Sequence, residues 1–191
     1  MSLIIDDSMI PGTVLKKQDM GNCTGLDFLN KIFYITDGVM MAEIRNISGI
    51  DTSTLQNWVK RRWVANAKLK KYDIDQVAHI LIINMLRSCM QLDHIAFLIR
   101  YINGNVDSQG DDIIRDSILY DYICRIIERL TENDSVPEQN VKLYIREVLS
   151  DYEEKVGGAR KRLETALEII IVAYYASLMK QKADGMLVAL M

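Results

Sequence analysis

Apolar residues recur at three- and four-residue intervals along most of this chain, a pattern that predicts an almost wholly helical fold. Leu26, Phe28, Leu29, Ile32 and Phe33 mark a short first helix that packs on the body behind it. Val39, Met40, Ile44 and Ile47 share one face of a second helix, with Thr36 or Asp37 as its N-cap and Gly49 as its left-handed close. Leu55, Trp58 and Val59 fall at i, i+3 and i+4 on a helix over 51–63. Asp51 is placed to cap that helix by accepting from the backbone N–H of Ser53 or Thr54. Residues 64–72 lose the helical stripe and predict a turn with a short strand pair. Asp73 and Gln76 have the spacing of a capping box, opening a helix whose buried face is Ile74, Val77, Ala78, Leu81, Ile82, Met85 and Leu86. A helix over 92–101 follows, stopped by Asn103-Gly104-Asn105.

The second half has broader stripes. Ile113, Ile114, Ile118, Tyr122, Ile123, Ile126, Ile127 and Leu130 run along a helix over 111–130. A break over 131–136 ends at Pro137, which suits the first turn of a helix carrying Val141, Tyr144, Ile145, Val148, Leu149, Tyr152 and Val156. Gly157-Gly158 separates it from a last helix over 159–182, apolar nearly all round, as in a bundle centre or a subunit interface. The apolar stretch 186–191 is expected to dock rather than float. Residues 1–22 read as irregular, with a turn at Pro11-Gly12. Three regions result: an N-terminal extension (1–34), a middle unit (35–104) and a C-terminal helical region for dimerisation or sensing (105–191).

Composition narrows the classes. Hydrophobic residues at 49% and charged ones at 26% are ordinary for a folded chain. Three dispersed cysteines fit a reducing compartment better than a disulfide framework. The N-terminus lacks the order of a signal peptide, and the apolar run over 166–179, interrupted by Glu168, is shorter than the roughly 18–20 residues of a bilayer span. A cytoplasmic protein with no membrane partner is expected. His79 and His94 lie on separate helices outside any metal-ligand frame, and His79 reads as an exposed or hydrogen-bonded helix residue. No Gly-rich phosphate loop or serine elbow is present, and Asp111-Asp112 and Glu153-Glu154 read as solvated helix starts and faces. Neither an enzyme nor a cofactor or metal site is expected.

Charge points to one segment. The net charge is −3, yet residues 41–72 hold seven Lys/Arg against two Asp/Glu. Because screening confines phosphate attraction to roughly 8 Å, a basic face on an acidic body is compatible with nucleic acid. On the helix over 51–63, Thr52, Ser53, Gln56, Asn57 and Lys60 point away from the apolar anchor, and Arg61 follows them. Amides of Gln and Asn can pair with adenine, while Lys and Arg can pair with guanine or phosphate; the same amides also suit an ordinary solvated surface. Lys68, Lys70 and Lys71 lie near the exposed edge of the predicted strand pair. Trp58 and Trp63 read as core, Trp63 under the wing, against the alternative of a Trp58/Trp63 surface for a protein partner.

The stretches Met41-Ala-Glu-Ile-Arg-Asn-Ile-Ser-Gly-Ile-Asp51, Thr54-Leu-Gln-Asn-Trp58, Lys70-Lys-Tyr-Asp-Ile-Asp-Gln-Val77 and Cys89-Met-Gln-Leu-Asp-His-Ile95 occur in the order helix, Gly turn, helix, basic hairpin, helix, helix. In that order, 35–101 resembles the MerR-type winged helix-turn-helix. Leu55-Gln-Asn-Trp-Val-Lys-Arg61 with Leu81-Ile-Ile-Asn-Met-Leu86 is more closely similar to an uncharacterised bacterial family, a domain of unknown function with a MerR-like character, over about 28–130. The resemblance implies an all-α chain with a small β-hairpin wing followed by a C-terminal helical bundle. It also implies a transcriptional regulator that binds double-stranded DNA as a homodimer through its C-terminal helices. The helix over 51–63 would enter the major groove, and the basic wing over 64–72 would lie on the backbone. The contacts would be Thr52, Ser53, Gln56, Asn57, Lys60, Arg61, Lys68, Lys70 and Lys71.

Departures from the pattern bear on this. Gln56-Asn57-Trp58 replaces an Arg-Tyr-Tyr stretch that grips phosphate, so those roles pass to Lys60 and Arg61. Arg62 stands where glycine suits a left-handed helix end, a strain of about 1 kcal/mol. No counterpart of the effector-binding cysteines or aromatic pocket is identifiable. An unidentified small-molecule effector, held among Tyr120, Tyr122, Tyr144, Tyr152, Tyr174 and Tyr175, competes with the simpler reading of those rings as core. The alternative function is a helical protein–protein interaction module that keeps the fold without binding DNA.

Overall fold

Local chemistry sets most of the helix boundaries in the computed structural model, which describes residues 8–104, 112–132 and 137–191. Eight helices and one two-stranded sheet follow in chain order among those residues. They are α1 (Gly25–Phe33), β1 (Val39–Met40), α2 (Met41–Ser48), α3 (Thr52–Lys60), β2 (Lys71–Tyr72), α4 (Ile74–Leu86), α5 (Leu92–Asn103), α6 (Asp116–Glu132), α7 (Pro137–Val148) and α8 (Ala159–Val188). Gly49 closes α2 at φ 70° and donates to the Arg45 carbonyl, as the sequence predicts. Asp51 caps α3 by accepting from the Thr54 N–H at 2.8 Å. Asp73 and Gln76 form the reciprocal capping box of α4, at 2.9 and 3.0 Å.

Helices α4 and α6 form the centre. Nine of the thirteen residues of α4 are buried, so this helix is enclosed by neighbours rather than laid on a surface. Helix α6 packs against α1, α4, α7 and α8, and α8 also lies on α4, α5 and α7. The apolar core runs without interruption from Ile10 through Trp58 and Leu81 to Tyr174. A strap over 9–16 is sewn onto this core. The Asn84 amide donates to the carbonyls of Gly12 (2.9 Å) and Ser48 (2.8 Å), the Val14 N–H donates to Ile47 (2.9 Å), and the Tyr120 hydroxyl donates to Pro11 (2.7 Å). Gly12 is required there: at φ +75° a Cβ would sit 2.3 Å from the Leu81 carbonyl oxygen.

Several sequence expectations need correction. Val39 and Met40 are extended, not helical, and pair antiparallel with Tyr72 and Lys71. Neither Thr36 nor Asp37 caps α2; the Thr36 hydroxyl donates to the Gly38 carbonyl in a preceding turn, and the Glu43 carboxylate accepts from the Met40 N–H instead. The strand partner of Lys71–Tyr72 therefore comes from before α2, and 64–68 contribute only a bridge from Lys68 to Lys71. Helix α6 begins at Asp116, with Ile113 and Ile114 buried ahead of it, and continues through Glu132. Asn105, Asp111 and the part of the predicted break at 133–136 lie outside the described residues.

Helix α7 stops at Val148 in a 3₁₀ turn, Leu149–Asp151, and Val156 is exposed. The apolar spacing continued beyond the helix because Tyr152 is still buried, its hydroxyl donating to the Ile113 carbonyl at 3.0 Å. Helix α8 runs six residues past its expected end, and the stretch 186–191 is not docked on the body: Met186, Leu187, Val188, Leu190 and Met191 are all exposed. Among the described residues, no helix is long and apolar enough to cross a membrane.

Candidate nucleic-acid interface

Leu55 and Trp58 are 2% and 1% exposed, which fixes the rotation of α3 against the body and turns its other face outward. Thr52, Ser53, Gln56, Asn57 and Lys60 all lie on that outer face, and Arg61 at the C-cap is exposed as well. Beyond the helix, Arg62 takes φ 57°, the left-handed conformation anticipated at this position, and Trp63 turns back into the core. Since Arg62 is exposed, Arg62→Gly should relieve backbone strain without loss of packing and raise stability by up to about 1 kcal/mol. Urea denaturation checks this; an unchanged or lower midpoint would refute it.

The basic turn has a definite geometry. Lys68 and Lys71 exchange two backbone hydrogen bonds of 2.9 Å, and the two residues between them, Leu69 and Lys70, both have positive φ (50° and 65°). This is the two-residue hairpin loop in which Asn-Gly is the favoured pair, occupied here by Leu and Lys. It exposes Leu69 almost fully together with Lys68 and Lys70. Lys71 is engaged differently: its ammonium binds the Asp37 carboxylate at 2.6 Å and holds that acid below the usual carboxylate range.

Helix and turn meet along an open groove of about 540 Å³ lined by Met40, Met41, Gln56, Val59, Lys70 and Tyr72, among others. Gln56 and Lys70, expected separately as contacts, therefore share one surface. Two expected contacts are partly spent within the chain. The Ser53 hydroxyl donates to Asp51, which also accepts from the Thr54 hydroxyl at 2.6 Å. Those bonds hold the Asp51 carboxyl far below the ordinary carboxylate range, so a fixed negative charge stands at the head of α3. Arg61 lies over the Trp63 ring, its guanidinium carbon 5.0 Å from the ring centre.

Behind this surface lies a polar clamp. His79, on α4, is buried; its Nε2 is 2.8 Å from the Trp63 carbonyl and its Nδ1 is 2.8 Å from Asp116 at the head of α6. A carbonyl only accepts, so Nε2 carries hydrogen, and a carboxylate at Nδ1 favours hydrogen there as well. Burial opposes the charged ring, but Asp116 and the carbonyl outweigh it and raise the His79 pKa. Asn103, at the end of α5, donates to the other oxygen of Asp116 at 3.0 Å. Alongside, Asp75 of α4 accepts from the Ser117 N–H of α6 at 3.0 Å and from Arg115 at 2.9 Å. The end of the α3 turn is thus tied through α4 to the start of α6.

The comparisons with known proteins take in this assembly. Residues 26–123 match the family described as Domain of unknown function (DUF1836). The chain belongs to that family. The matched segment includes α1 to α5, the groove, and both His79 and Asp116, and it ends within α6. The chain is also 24% identical over 110 residues to "Uncharacterized protein YkrK" of Bacillus subtilis (strain 168), covering 54% of this chain and 47% of that protein. The chain therefore spans about half the length of the curated relative it matches. No solved structure matches the chain.

Arg62, read only as a left-handed helix end, is also exposed beside Arg61 and extends the run Lys60-Arg61-Arg62. His79, read as exposed or hydrogen-bonded, is buried and hydrogen-bonded; its acid partner had no local signal, because it lies 37 residues away. The tyrosines are core or core-packed, and the hydroxyl of Tyr122 approaches Asp151 at 3.2 Å. Among the described residues, no group of three or more His, Cys, Asp or Glu is placed to hold a metal.

Proposed function

We propose that the protein is a DNA-binding transcriptional regulator that acts as a homodimer, with α3 in the major groove and the basic turn on the phosphate backbone, in the manner of a MerR-like winged helix-turn-helix. One observation carries the reading: an outward face of hydroxyl, amide and cationic side chains on α3 adjoins a tight lysine turn across a shared groove. Such a surface combines base-edge readers with phosphate binders. Thr52, Gln56 and Asn57 are assigned to base edges, and Lys60, Arg61, Lys68 and Lys70 to phosphates. Ser53 serves mainly through its lone pairs, and Lys71 joins after leaving Asp37. A dimer would present two such helices about 34 Å apart.

Fluorescence anisotropy with mixed genomic duplex fragments tests the reading at 50 and 200 mM salt. Binding that weakens steeply between the two salt concentrations is expected, as for phosphate-dominated contact. Binding that is absent at both, or indifferent to salt, would count against it. The second reading, a protein-interaction module, draws on the groove itself. Its lining includes Met41 and Val59 as well as Met40, which is 51% exposed, and methionine-lined surfaces adapt to protein partners. Absence of DNA binding together with a Met40→Glu-sensitive protein complex would favour that module.

A further inference from the structure

An exposed leucine is ordinary on a protein surface, but Leu69 is exposed and strained at once. Its side chain is 97% exposed, so it gains almost no packing from the chain. Its φ is 50°, and Lys70 beside it has φ 65°. Among the described residues, the other non-glycine positions with positive φ are Asn22, Arg62 and Lys70, all polar or charged. Glycine or asparagine would hold such a turn at less cost, because a Cβ crowds the following carbonyl in the left-handed region. Leu69 therefore burdens the fold and returns nothing to it. Strain kept without internal compensation points to a task outside the chain. Tyr34 and Ile35 are nearly as exposed, yet neither has a positive φ.

The tip of the turn is also held in place. Lys68 and Lys71 close it with two backbone hydrogen bonds of 2.9 Å, so Leu69 projects from a fixed frame. Lys68 and Lys70 flank it in sequence and are both exposed, which sets one apolar side chain between two cations. We propose that Leu69 is a wedge that enters the minor groove of duplex DNA and parts two stacked base pairs, while Lys68 and Lys70 hold phosphates on either side. The proposal rests on the DNA-binding reading and adds to it a residue and a mode of contact. The minor groove is about 6 Å wide, too narrow for a two-stranded ribbon but open to a single side chain at its tip. Leucine is among the side chains able to act as such a wedge. Pyrimidine–purine steps part most easily, so the turn would prefer a TA or CA step without a hydrogen bond to any base.

Fluorescence of 2-aminopurine tests it, because that base brightens when it leaves the stack. A short duplex cut from a genomic fragment that the protein binds carries the analogue at each adenine in turn, and every complex is read at saturating protein. Wild type is expected to brighten the duplex severalfold at the inserted TA or CA step and nowhere else. Leu69→Met should keep that signal, and Leu69→Ala and Leu69→Gly should lose it. Leu69→Gly should also raise the urea midpoint of the free protein, the opposite of what a leucine serving the fold would give. A bound duplex that stays dark with wild type, a signal that survives Leu69→Gly, or a midpoint lowered by Leu69→Gly would overturn the wedge. So would Leu69-dependent binding to 7:3 phosphatidylcholine/phosphatidylglycerol vesicles with no brightening of bound DNA. A duplex that is bound but dark sinks the wedge alone; absence of binding to any duplex in the anisotropy experiment sinks the DNA-binding reading and the wedge together.

Discussion

Replacing Lys60, Arg61 and Lys70 together by alanine should weaken binding to duplex DNA about a hundredfold at 0.15 M salt and flatten the salt dependence. The magnitude follows from counterion release: each phosphate contact contributes about 0.9 to the log–log salt slope, so three contacts remove between two and three units. All three side chains are exposed, so the loss would not come from unfolding; such surface changes usually alter stability by less than about 0.5 kcal/mol. Gln56→Ala tests the other half of the surface, because loss of a base-edge contact should lower discrimination among sequences while leaving the slope unchanged. Anisotropy titrations from 50 to 200 mM salt measure both. A triple variant with wild-type affinity and slope would remove the basis for placing α3 and the turn on DNA.

His79→Ala should be the most damaging single change behind that surface, costing about 3–5 kcal/mol. It leaves the partly buried Asp116 carboxylate with only Asn103 as donor and the Trp63 carbonyl with none from His79, and breaking a buried pair from one side costs about that much. The clamp also predicts a pH dependence. His79 has its pKa raised on folding, so the native state holds a proton that the unfolded chain releases near pH 6.5. Its contribution is therefore fully present below about pH 6.5 and falls as pH rises through the higher folded-state value. Urea denaturation at a series of pH values, for wild type and His79→Ala, should show that decline in the wild type alone. Parallel stability profiles for the two proteins would contradict a charged His79.

Features governed by nearest neighbours were readable from the residues alone. The glycine close of α2, the aspartate cap of α3 and the capping box of α4 each depend on groups within four residues, and each formed where the sequence placed it. The left-handed Arg62 was readable for the same reason. Features that depend on distant partners were not. Val39 and Met40 are helix-compatible in their own neighbourhood and become a strand only because Tyr72 and Lys71 arrive alongside. The end of α7 was hidden because Tyr152 is buried after the helix has stopped, prolonging an apolar rhythm that no longer reports a helix. In the candidate interface, the outward side chains of α3 followed from where Leu55 and Trp58 must face. The diversion of Lys71 to Asp37 depended on the fold.

The strap ahead of α1 bears on what constitutes an autonomous folding unit in this protein. A fragment cut to the family-matched residues 26–123 would lack Ile10 from the core and leave the Asn84 amide and the Tyr120 hydroxyl without their backbone acceptors at Gly12 and Pro11. It would also end halfway along α6, the helix on which α1 and α4 both rest. The segment that defines kinship is thus smaller than the segment that folds cooperatively, and dissection of the protein should follow the strap and α6 rather than the limits of the sequence match.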